Sequence, residues 1–446
     1  MVPKGVTRVE PRRKFGVWTL SFLVIANMIG AGVFTTSGYT LRDLSSPWLV
    51  LLAWFVAGCI ATAGALSYGQ LIQVMPESGG EYLFLSRSAH PILGFIAGWV
   101  SLIAGFTGAI AFAAVTLEEY IIPDTESRPL WLPKDAIAVS AIIVSGCFHG
   151  FRPMVGALLQ NVAVTLKLVF LSVFAVVAIF NVSKFVSQRE AQAAASVASG
   201  PLLAAFAKSL VYISFSYMGF NAAVYVCDEA RDPKRTVPRA LMFGAIGVFA
   251  IYLILNAIFV LAPSADDIAG APDIASVAAR HLAGEQFATF IRLTVVAALF
   301  TSVLSMMMAA PRVYAKMGED GLLPSFLKIR GQTPAGAVVL QVVLAVVIVI
   351  SSTQEALLHY LGLTLSLSAA GSVACLFLPG VRREVSLLSW RNAPPAIYVI
   401  STLVIAVTAA TISPTKVLGT ALTFLVGAML YFIAPRGKRK SESGDL

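Results

Sequence analysis

Two short strings of small and polar residues interrupt apolar stretches of this chain. Both could leave backbone peptide groups without helical partners, at a place where a solute could bind them. The first is IGAGVF at residues 29–34, and the second is SFSYMGFN at residues 214–221. Glycine weakens a helix because it loses more backbone freedom on folding than other residues do. Peptide groups freed from helical pairing are tolerated inside an apolar environment only if protein buries them or they line a cavity. Each string alone also fits a small-residue packing groove between helices.

A single lysine stands inside a long apolar run, which is costly for a charged side chain in hydrocarbon. Lys167 follows Asn161 by six residues and precedes a further apolar stretch. We expect its ammonium group to face the interior of the protein and to contact carbonyl or hydroxyl oxygens. The alternative is a lysine that extends its charge to the membrane surface from near a helix end. Lys208 and Arg292 lie nearer to predicted outer ends, where interface or gate-rim positions fit them.

The elements that carry these residues are membrane-spanning helices. Apolar residues make up 58% of the 446 residues and charged residues only 12%, far below the charged fraction of a water-soluble surface. A span needs about 20 mostly apolar residues. That rule predicts twelve spans in one membrane domain, at residues 15–38, 47–75, 91–119, 134–150, 156–181, 202–228, 240–263, 286–313, 335–352, 355–379, 395–412 and 416–435. Longer connections are expected at 76–90 and 264–285.

Charge distribution predicts the orientation. With the N-terminus inside, 22 of the 32 Lys and Arg residues fall on inner segments and 7 on outer ones, a strong positive-inside bias. Basic residues in the inner segments therefore account for the net charge of +9, and no nucleic-acid partner is expected. We expect cytoplasmic tails at 1–14 and 436–446 around a transmembrane domain at 15–435. The apolar stretch after the tail is too long for a cleavable signal.

The two interrupted strings fall in the first and sixth predicted spans, the relation expected if spans 1–5 and 6–10 are inverted repeats. The repeats would cover about 15–181 and 202–379, with two extra helices at 395–435. Interrupted spans at matching places in two halves are typical of a solute-binding site.

Four strings resemble motifs of the amino acid–polyamine–organocation superfamily, and most closely its L-type and related amino acid permeases. They are NMIGAGVF at 27–34, PESGGEY at 76–82, FSYMGF at 215–220 running into EARDPKRTVPR at 229–239, and RVY at 312–314 running into DGLLP at 320–324. The resemblance implies an all-α polytopic membrane protein with a LeuT-type 5+5 inverted-repeat fold, twelve transmembrane helices and broken helices 1 and 6. It implies a plasma-membrane permease, working as an antiporter or a proton-coupled symporter for amino acids, and no cofactor.

The resemblance also assigns residues to roles. Amides at the start of the outer half of helix 1 would bind the substrate carboxylate. Unpaired carbonyls at Met28, Phe215 and Met218 would bind the substrate ammonium group. The ring of Phe215 would cover the substrate as an aromatic lid. The implied binding residues are Met28, Ile29, Gly30, Ala31, Gly32, Phe215, Tyr217, Met218 and Gly219. Lys167 would replace a sodium ion with Ser302 and Ser305 as partners, which implies sodium independence. Candidate gate residues are Glu81, Glu229 and Arg312.

Substrate class and partners follow less directly. No Asp or Glu lies at mid-span to pair with a cationic side chain, so we expect neutral amino acids, with cationic amino acids or polyamines as the alternative. Asn221 stands where some relatives place a carboxylate, and an amide cannot titrate. Residues 120–133 contain no cysteine, whereas similar animal transporters use one there to join a heavy chain, so no disulfide-linked subunit is expected.

A membrane-embedded enzyme and an amino-acid sensor are the competing classes. The residues that an enzyme of this kind would use are poorly placed, because Asp266 and Asp267 lie in a polar loop and His149 has no acid nearby.

Overall fold

The chain is a multi-pass helical membrane protein. In the computed structural model, the described residues are 15–123, 128–151, 202–319, 335–381 and 389–433, with isolated positions between 169 and 181 and Leu327. Seven helices within these ranges are long and apolar enough to cross a membrane, and four shorter apolar helices accompany them. The described residues form no strand; one isolated bridge joins Phe15 to Ala230. Predicted span 156–181, with Lys167, lies outside the described residues apart from those isolated positions.

Fifteen α-helices follow one another in the described chain, and we number them in order. They are α1 (Val17–Met28), α2 (Thr36–Leu44), α3 (Pro47–Val74), α4 (Gly80–Ser88), α5 (Pro91–Val100), α6 (Ala109–Ile121), α7 (Ala136–Phe151), α8 (Leu202–Ser216), α9 (Pro233–Leu261), α10 (Ala265–Ile268), α11 (Ile274–Glu319), α12 (Ala335–Ser351), α13 (Gln354–Ala374), α14 (Ala393–Ile412) and α15 (Pro414–Ile433).

Both predicted helix breaks are present. Helix α1 ends at Met28, and after three non-helical residues a 3₁₀ turn over Gly32–Phe34 leads into α2. Helix α8 ends at Ser216, well before the predicted end of its span at 228, and a 3₁₀ segment follows at Ala222–Glu229. Gly219 has φ +99°, a left-handed conformation that glycine adopts without strain. The sequence therefore unwinds where its glycines make helix least favourable.

The two connections expected to be loops are partly helical. Residues 76–90 contain α4, and residues 264–285 contain α10 and the first turns of α11. Helix α11 begins twelve residues before the predicted span at 286 and is bent at Ala283 and Gly284, where φ of Gly284 is +82°. The prediction missed these helices because their polar residues lower the local hydropathy, although their apolar faces are buried, as at Phe84, Ile268 and Ala275.

The core packs around α3 and α9, and small residues allow their close approach. A Cβ added at Gly69 on α3 would lie 3.1 Å from the Pro238 Cβ on α9. Helices α14 and α15 lie at the periphery and leave most of their apolar side chains uncovered. Because such a surface is stable only against lipid, these helices form part of the membrane-facing boundary of the bundle.

Candidate functional site between the two broken helices

A cavity of about 240 Å³ lies between the two helix breaks. This volume is below the roughly 300–1,000 Å³ of sites for drug-sized ligands and suits a smaller molecule. Its walls contain eight of the nine predicted binding residues and both predicted serines: Met28, Ile29, Gly30, Ala31, Gly32, Phe215, Met218, Gly219, Ser302 and Ser305. Tyr217 is the predicted binding residue that the structure does not bring there.

Free peptide amides line the first break. Ile29 N–H donates to the Ile25 carbonyl 3.0 Å away, which completes α1. No backbone carbonyl among the described residues accepts a hydrogen bond from the N–H groups of Gly30, Ala31 or Gly32. The Gly30 amide instead approaches the Tyr252 hydroxyl. The amides of Ala31 and Gly32 therefore remain available for an anionic group at the start of a 3₁₀ turn, the positive end of a helical segment.

The carbonyls predicted to be unpaired are partly occupied. The Tyr252 hydroxyl lies 2.6 Å from the Met28 carbonyl and 3.0 Å from the Ser216 carbonyl, and the Phe215 carbonyl accepts from Met218 N–H at 3.0 Å. A buried tyrosine and a local turn thus satisfy polar groups that would otherwise be costly, and the binding roles of Met28 and Phe215 stay predictions. Each carbonyl oxygen keeps a second lone pair for a ligand.

Tyr252, on α9, is the site residue that the sequence did not indicate. Its side chain is fully buried, and its hydroxyl contacts backbone from both broken helices. Because the contacts join residues 224 and 36 positions away along the chain, no local motif marks them. A tyrosine at this place holds the two breaks at a fixed separation.

The two breaks also touch each other directly. A Cβ added at Gly32 would lie 2.5 Å from Ser216 Oγ, and one at Gly219 would lie 2.9 Å from the Asn27 carbonyl oxygen. Thr36 Oγ1 donates to the Gly32 carbonyl at 2.7 Å and lies 3.0 Å from Ser216 Oγ. Glycine is thus required for close packing at 32 and 219, in addition to its backbone freedom.

Aromatic side chains divide between the cavity and the core. Phe215 lines the cavity and meets Phe112 edge to face, with ring centroids 5.0 Å apart. Tyr217 is buried on the other side of the break, 3.3 Å from the Trp54 carbonyl through its hydroxyl. Unwinding at 217–221 turns the Tyr217 side chain toward α3, so it does not line this cavity, and its binding role stays a prediction.

A π-helical segment at Ser101–Gly108 joins α5 to α6 beside the cavity. Gly105 and Phe106 of this segment line the wall, and Thr107 Oγ1 donates to the Leu102 carbonyl at 2.8 Å, five residues back. Short π segments inside α-helices are frequent at functional sites. Sequence patterning gives no signal for the extra residue in such a turn.

The candidate gate residue Glu81 is buried and bonded to neutral groups. Its side chain is 5% exposed, and its carboxylate accepts from the hydroxyls of Tyr68 (2.7 Å) and Tyr225 (2.6 Å) and from the Asn221 amide. No ion pair of Glu81 occurs within the described ranges, and Glu229 is exposed. The side chain of Arg312 lies outside the described residues. Glu81 therefore ties α4 to the segment that follows the second break.

At the opposite end, four helices meet in a charge cluster, which we call the outer cluster after the side that the Lys and Arg distribution predicts for it: Arg42, Asp43, Lys208, Glu355 and Lys416. Lys208 Nζ lies 2.8 Å from Asp43 and 3.3 Å from Glu355, while Arg42 and Lys416 reach Glu355 at 3.1 and 3.4 Å. The Tyr212 hydroxyl donates to Glu355 at 2.7 Å. Lys208, expected at the interface or a gate rim, belongs to this cluster, which joins α2, α8, α13 and α15.

Two broken membrane helices around a cavity with free amides are typical of small-molecule transporters. The amino acid permease family model matches residues 15–440, and the chain belongs to this family. It is an amino acid permease.

Three relatives illustrate the similarity. The chain is 23% identical to the human large neutral amino acids transporter small subunit 2, over 79% of this chain and 67% of that protein. It is 24% identical to the human b(0,+)-type amino acid transporter 1, over 80% and 75%. It is 23% identical to the Asc-type amino acid transporter 1 of Mus musculus, over 79% and 68%.

Proposed function

We propose that this permease carries neutral amino acids across the plasma membrane by sodium-independent alternating access, as an exchanger or a proton-coupled symporter. The observation that carries the proposal is the cavity bounded by both helix breaks, which is lined by Ala31 and Gly32 with their free amides. An amino acid presents a carboxylate and an ammonium group in a fixed relation, and this cavity offers complementary backbone dipoles.

The carboxylate would lie against the first break. Ala31 and Gly32 supply amides without a backbone acceptor among the described residues, at the positive end of the following turn. Gly30 leaves room for the ligand, because a Cβ added there would meet only the Met28 carbonyl oxygen, 3.9 Å away. The ammonium group would lie toward the second break, near the carbonyl oxygens of Phe215 and Met218.

The proposed preference for neutral side chains follows from the walls. The described residues that line the cavity include no Asp, Glu, Lys or Arg. A cationic side chain would lose its hydration without gaining a carboxylate, which is unfavourable at this depth. Phe106, Phe112 and Phe215 supply an apolar wall for the side chain. The name of the human large neutral amino acids transporter agrees with this preference.

Sodium independence rests on the sequence position of Lys167 together with the wall of α11. Ser302 and Ser305 line the cavity there, where the ammonium group of Lys167 would take the place of a cation. A lysine bound in this way would also be able to release a proton, which is the reason for retaining both exchange and proton symport.

The fold proposed with this function has twelve transmembrane helices. Spans 1–5 and 6–10 would form inverted repeats with breaks at 29–31 and 217–221, and α14 and α15 would be the two extra helices. Both termini would be cytoplasmic, as the Lys and Arg distribution predicts, and no disulfide-linked subunit is required. Seven membrane-length helices and two helix breaks in register with the repeats support this arrangement.

Counterflow in proteoliposomes tests the proposal. Vesicles preloaded with each of the twenty amino acids in turn are assayed for uptake of a labelled neutral amino acid, with and without sodium and with and without a pH gradient. We expect neutral amino acids to drive uptake in sodium-free buffer. Uptake that requires sodium removes the role of Lys167, and uptake driven only by lysine, arginine or polyamines overturns the substrate class.

A matched pair of variants tests the carboxylate position. Gly30→Leu should abolish uptake, because its side chain fills the cavity beside the free amides. Gly371→Leu places the same side chain on α13, where an added Cβ meets nothing within 4 Å, and should transport normally. Both variants are expected to insert and to elute as the wild-type protein does; normal uptake by Gly30→Leu would falsify the assignment.

A further inference from the structure

A second groove, of about 320 Å³, opens on the surface of the bundle and shares no lining residue with the substrate cavity. It lies between the last turns of α3 and the first turns of α9, and the 3₁₀ turn at Trp390–Asn392 closes its third side. We call it the interfacial groove. From Leu66 to Val74 it follows α3 for about 12 Å, given the helical rise per residue. All these elements lie at the end that the Lys and Arg distribution predicts to be cytoplasmic.

Two arginines give the interfacial groove an unbalanced positive charge. Arg239 on α9 and Arg391 in the 3₁₀ turn both line it and are exposed. Neither forms an ion pair with a carboxylate in the described part of the chain. The Gln70 side chain donates to the Arg391 carbonyl at 2.8 Å, which fixes the turn against α3. The groove thus holds two guanidinium groups whose natural partner is an anion with several acceptor oxygens.

The interfacial groove also has apolar walls, beside the polar residues Gln70, Gln73 and Asn392. Leu66, Met242, Leu376 and Pro394 form its walls. Trp390 stands at its rim with 78% of its surface exposed, as tryptophans do at the level of lipid headgroups. A soluble anion would use the arginines and leave these apolar walls uncovered. An amphiphile with an anionic head would cover both.

We propose that the interfacial groove is a binding site for an anionic phospholipid, with Arg239 and Arg391 on its phosphodiester and the acyl chains against Leu66 and Met242. Basic pockets between membrane helices on the cytoplasmic side are suited to such headgroups. The bound lipid would join α3 and α9, the central pair of the bundle, to α14 at its periphery. The site is independent of the substrate cavity and of the substrate that the permease carries.

Native mass spectrometry of the full-length protein tests the proposal. The protein is titrated with phosphatidylglycerol and, separately, with zwitterionic phosphatidylcholine of the same acyl chains. We expect one phosphatidylglycerol to bind at least tenfold more tightly than any phosphatidylcholine. Arg239→Gln and Arg391→Gln should each weaken that binding about fivefold, since one cation near an anionic headgroup contributes about 1 kcal/mol. Trp390→Ala should weaken binding of both lipids.

Arg235→Gln is the matched control, because it removes an exposed arginine from the same helix outside the groove. It should leave phosphatidylglycerol binding unchanged; an equal loss in this variant means general surface charge and overturns the site. Unchanged binding in both groove variants also overturns it. Inorganic phosphate and glycerol 1-phosphate are added as competitors, and displacement of the lipid by either at equal concentration means a soluble-anion site instead.

A measurement on the unaltered chain covers the case in which variants fold poorly. Phosphatidylglycerol with a photoreactive group near its headgroup is cross-linked to the wild-type protein in vesicles. Labelled peptides should cover 66–74, 238–242 or 390–394. Labelling that spreads evenly over the ends of the other helices contradicts the proposal.

Discussion

Ser216 occupies the space that a side chain at position 32 would need: a Cβ on Gly32 would lie 2.5 Å from the Ser216 Oγ and 2.9 Å from its Cα. The two broken helices therefore meet backbone to backbone, and the cavity lies beside this contact. Because one partner in the clash is main chain, a rotamer change cannot relieve it.

Gly32→Ala should accordingly reduce uptake at least tenfold and lower stability by about 1–3 kcal/mol, the usual cost of an overpacked core. Gly371→Ala is the matched control, since its added Cβ has no neighbour within 4 Å. Proteoliposome uptake and thermal unfolding in detergent measure both effects. Equal behaviour of the two alanine variants would contradict the contact between the breaks.

Tyr252→Phe should impair transport more than it impairs stability. The variant keeps the buried ring and removes the hydroxyl that contacts the carbonyls of Met28 and Ser216, at a cost of roughly 0.5–1.5 kcal/mol for a hydrogen bond. The affinity for substrate should fall because the separation of the breaks is no longer fixed.

The control for this variant is Tyr360→Phe, which removes a hydroxyl bonded to Thr423 at 2.8 Å between α13 and α15. It should cost similar stability and leave the affinity for substrate unchanged. Titration of binding by isothermal calorimetry compares the two; a parallel loss of affinity in both variants would show that Tyr252 has no particular role at the site.

Glu355→Gln should favour opening of the outer end. Three cations, Arg42, Lys208 and Lys416, share this carboxylate. An amide would leave Asp43 alone to balance them within the outer cluster, so their mutual repulsion would increase. A cysteine at Ala113, which lines the cavity on α6, is introduced after the four native cysteines are replaced by alanine. Its labelling by an impermeant thiol reagent from outside should become about fivefold faster.

Glu285→Gln is the corresponding control, because it breaks an exposed pair with Arg280 at 2.6 Å away from the outer cluster. Labelling at position 113 should not change in that variant. Should Glu355→Gln also leave the rate unchanged, the outer cluster does not hold this end closed.

Stability should increase as the pH falls through the range where Asp273 titrates. Burial raises the pKa of this carboxyl from 3.8 to about 6, although Arg292 opposes the shift. Since the unfolded chain releases the proton at lower pH, ionisation destabilises the fold. The loss of unfolding free energy caused by this ionisation is absent below pH 4 and develops between pH 4 and 6. Above pH 6 it is complete, at about 3 kcal/mol at most.

Thermal unfolding between pH 4.5 and 8 checks this expectation. The melting temperature should fall toward neutral pH in the wild type and become nearly level over this range in Asp273→Asn. Asp266→Asn, which changes an exposed carboxyl of the same loop, should keep the wild-type profile. If the melting temperature of Asp273→Asn still falls toward neutral pH, the pH dependence is due to other groups.

The sequence predicted those features that local composition determines. The breaks at 29–31 and 217–221 follow from glycines set among apolar residues, and the cavity-lining residues follow from the breaks. Contacts between distant segments were not accessible in this way. Three such features depend on how the backbone packs against neighbouring helices. They are the contacts of Tyr252, the hydrogen bond from Thr107 to a carbonyl five residues back, and the direction of the Tyr217 side chain toward α3.

The connections at 76–90 and 264–285 show a second limit. Hydropathy distinguishes segments that lie in lipid from segments that lie in water. It does not distinguish a short, partly buried helix from a loop, so α4 and α10 were missed. The charges at Arg42, Lys208, Glu355 and Lys416 were visible singly, but only the packing of four helices brings them together.

Lys416 gives α15 an electrostatic contact that the peripheral position of this helix would not suggest. Helix α15 is peripheral and bound to α13 by hydroxyl contacts such as Thr364 to Thr420 at 2.8 Å, yet Lys416 reaches into the outer cluster at its start. Glu355 on α13 receives Arg42 from α2 as well as Lys416 from α15, so a movement that separates α2 from α13 would break the Arg42 contact and leave the Lys416 contact in place. Helix α15 thus supplies a counter-charge that would stay on Glu355 when Arg42 moves away, which would lower the electrostatic cost of such a movement.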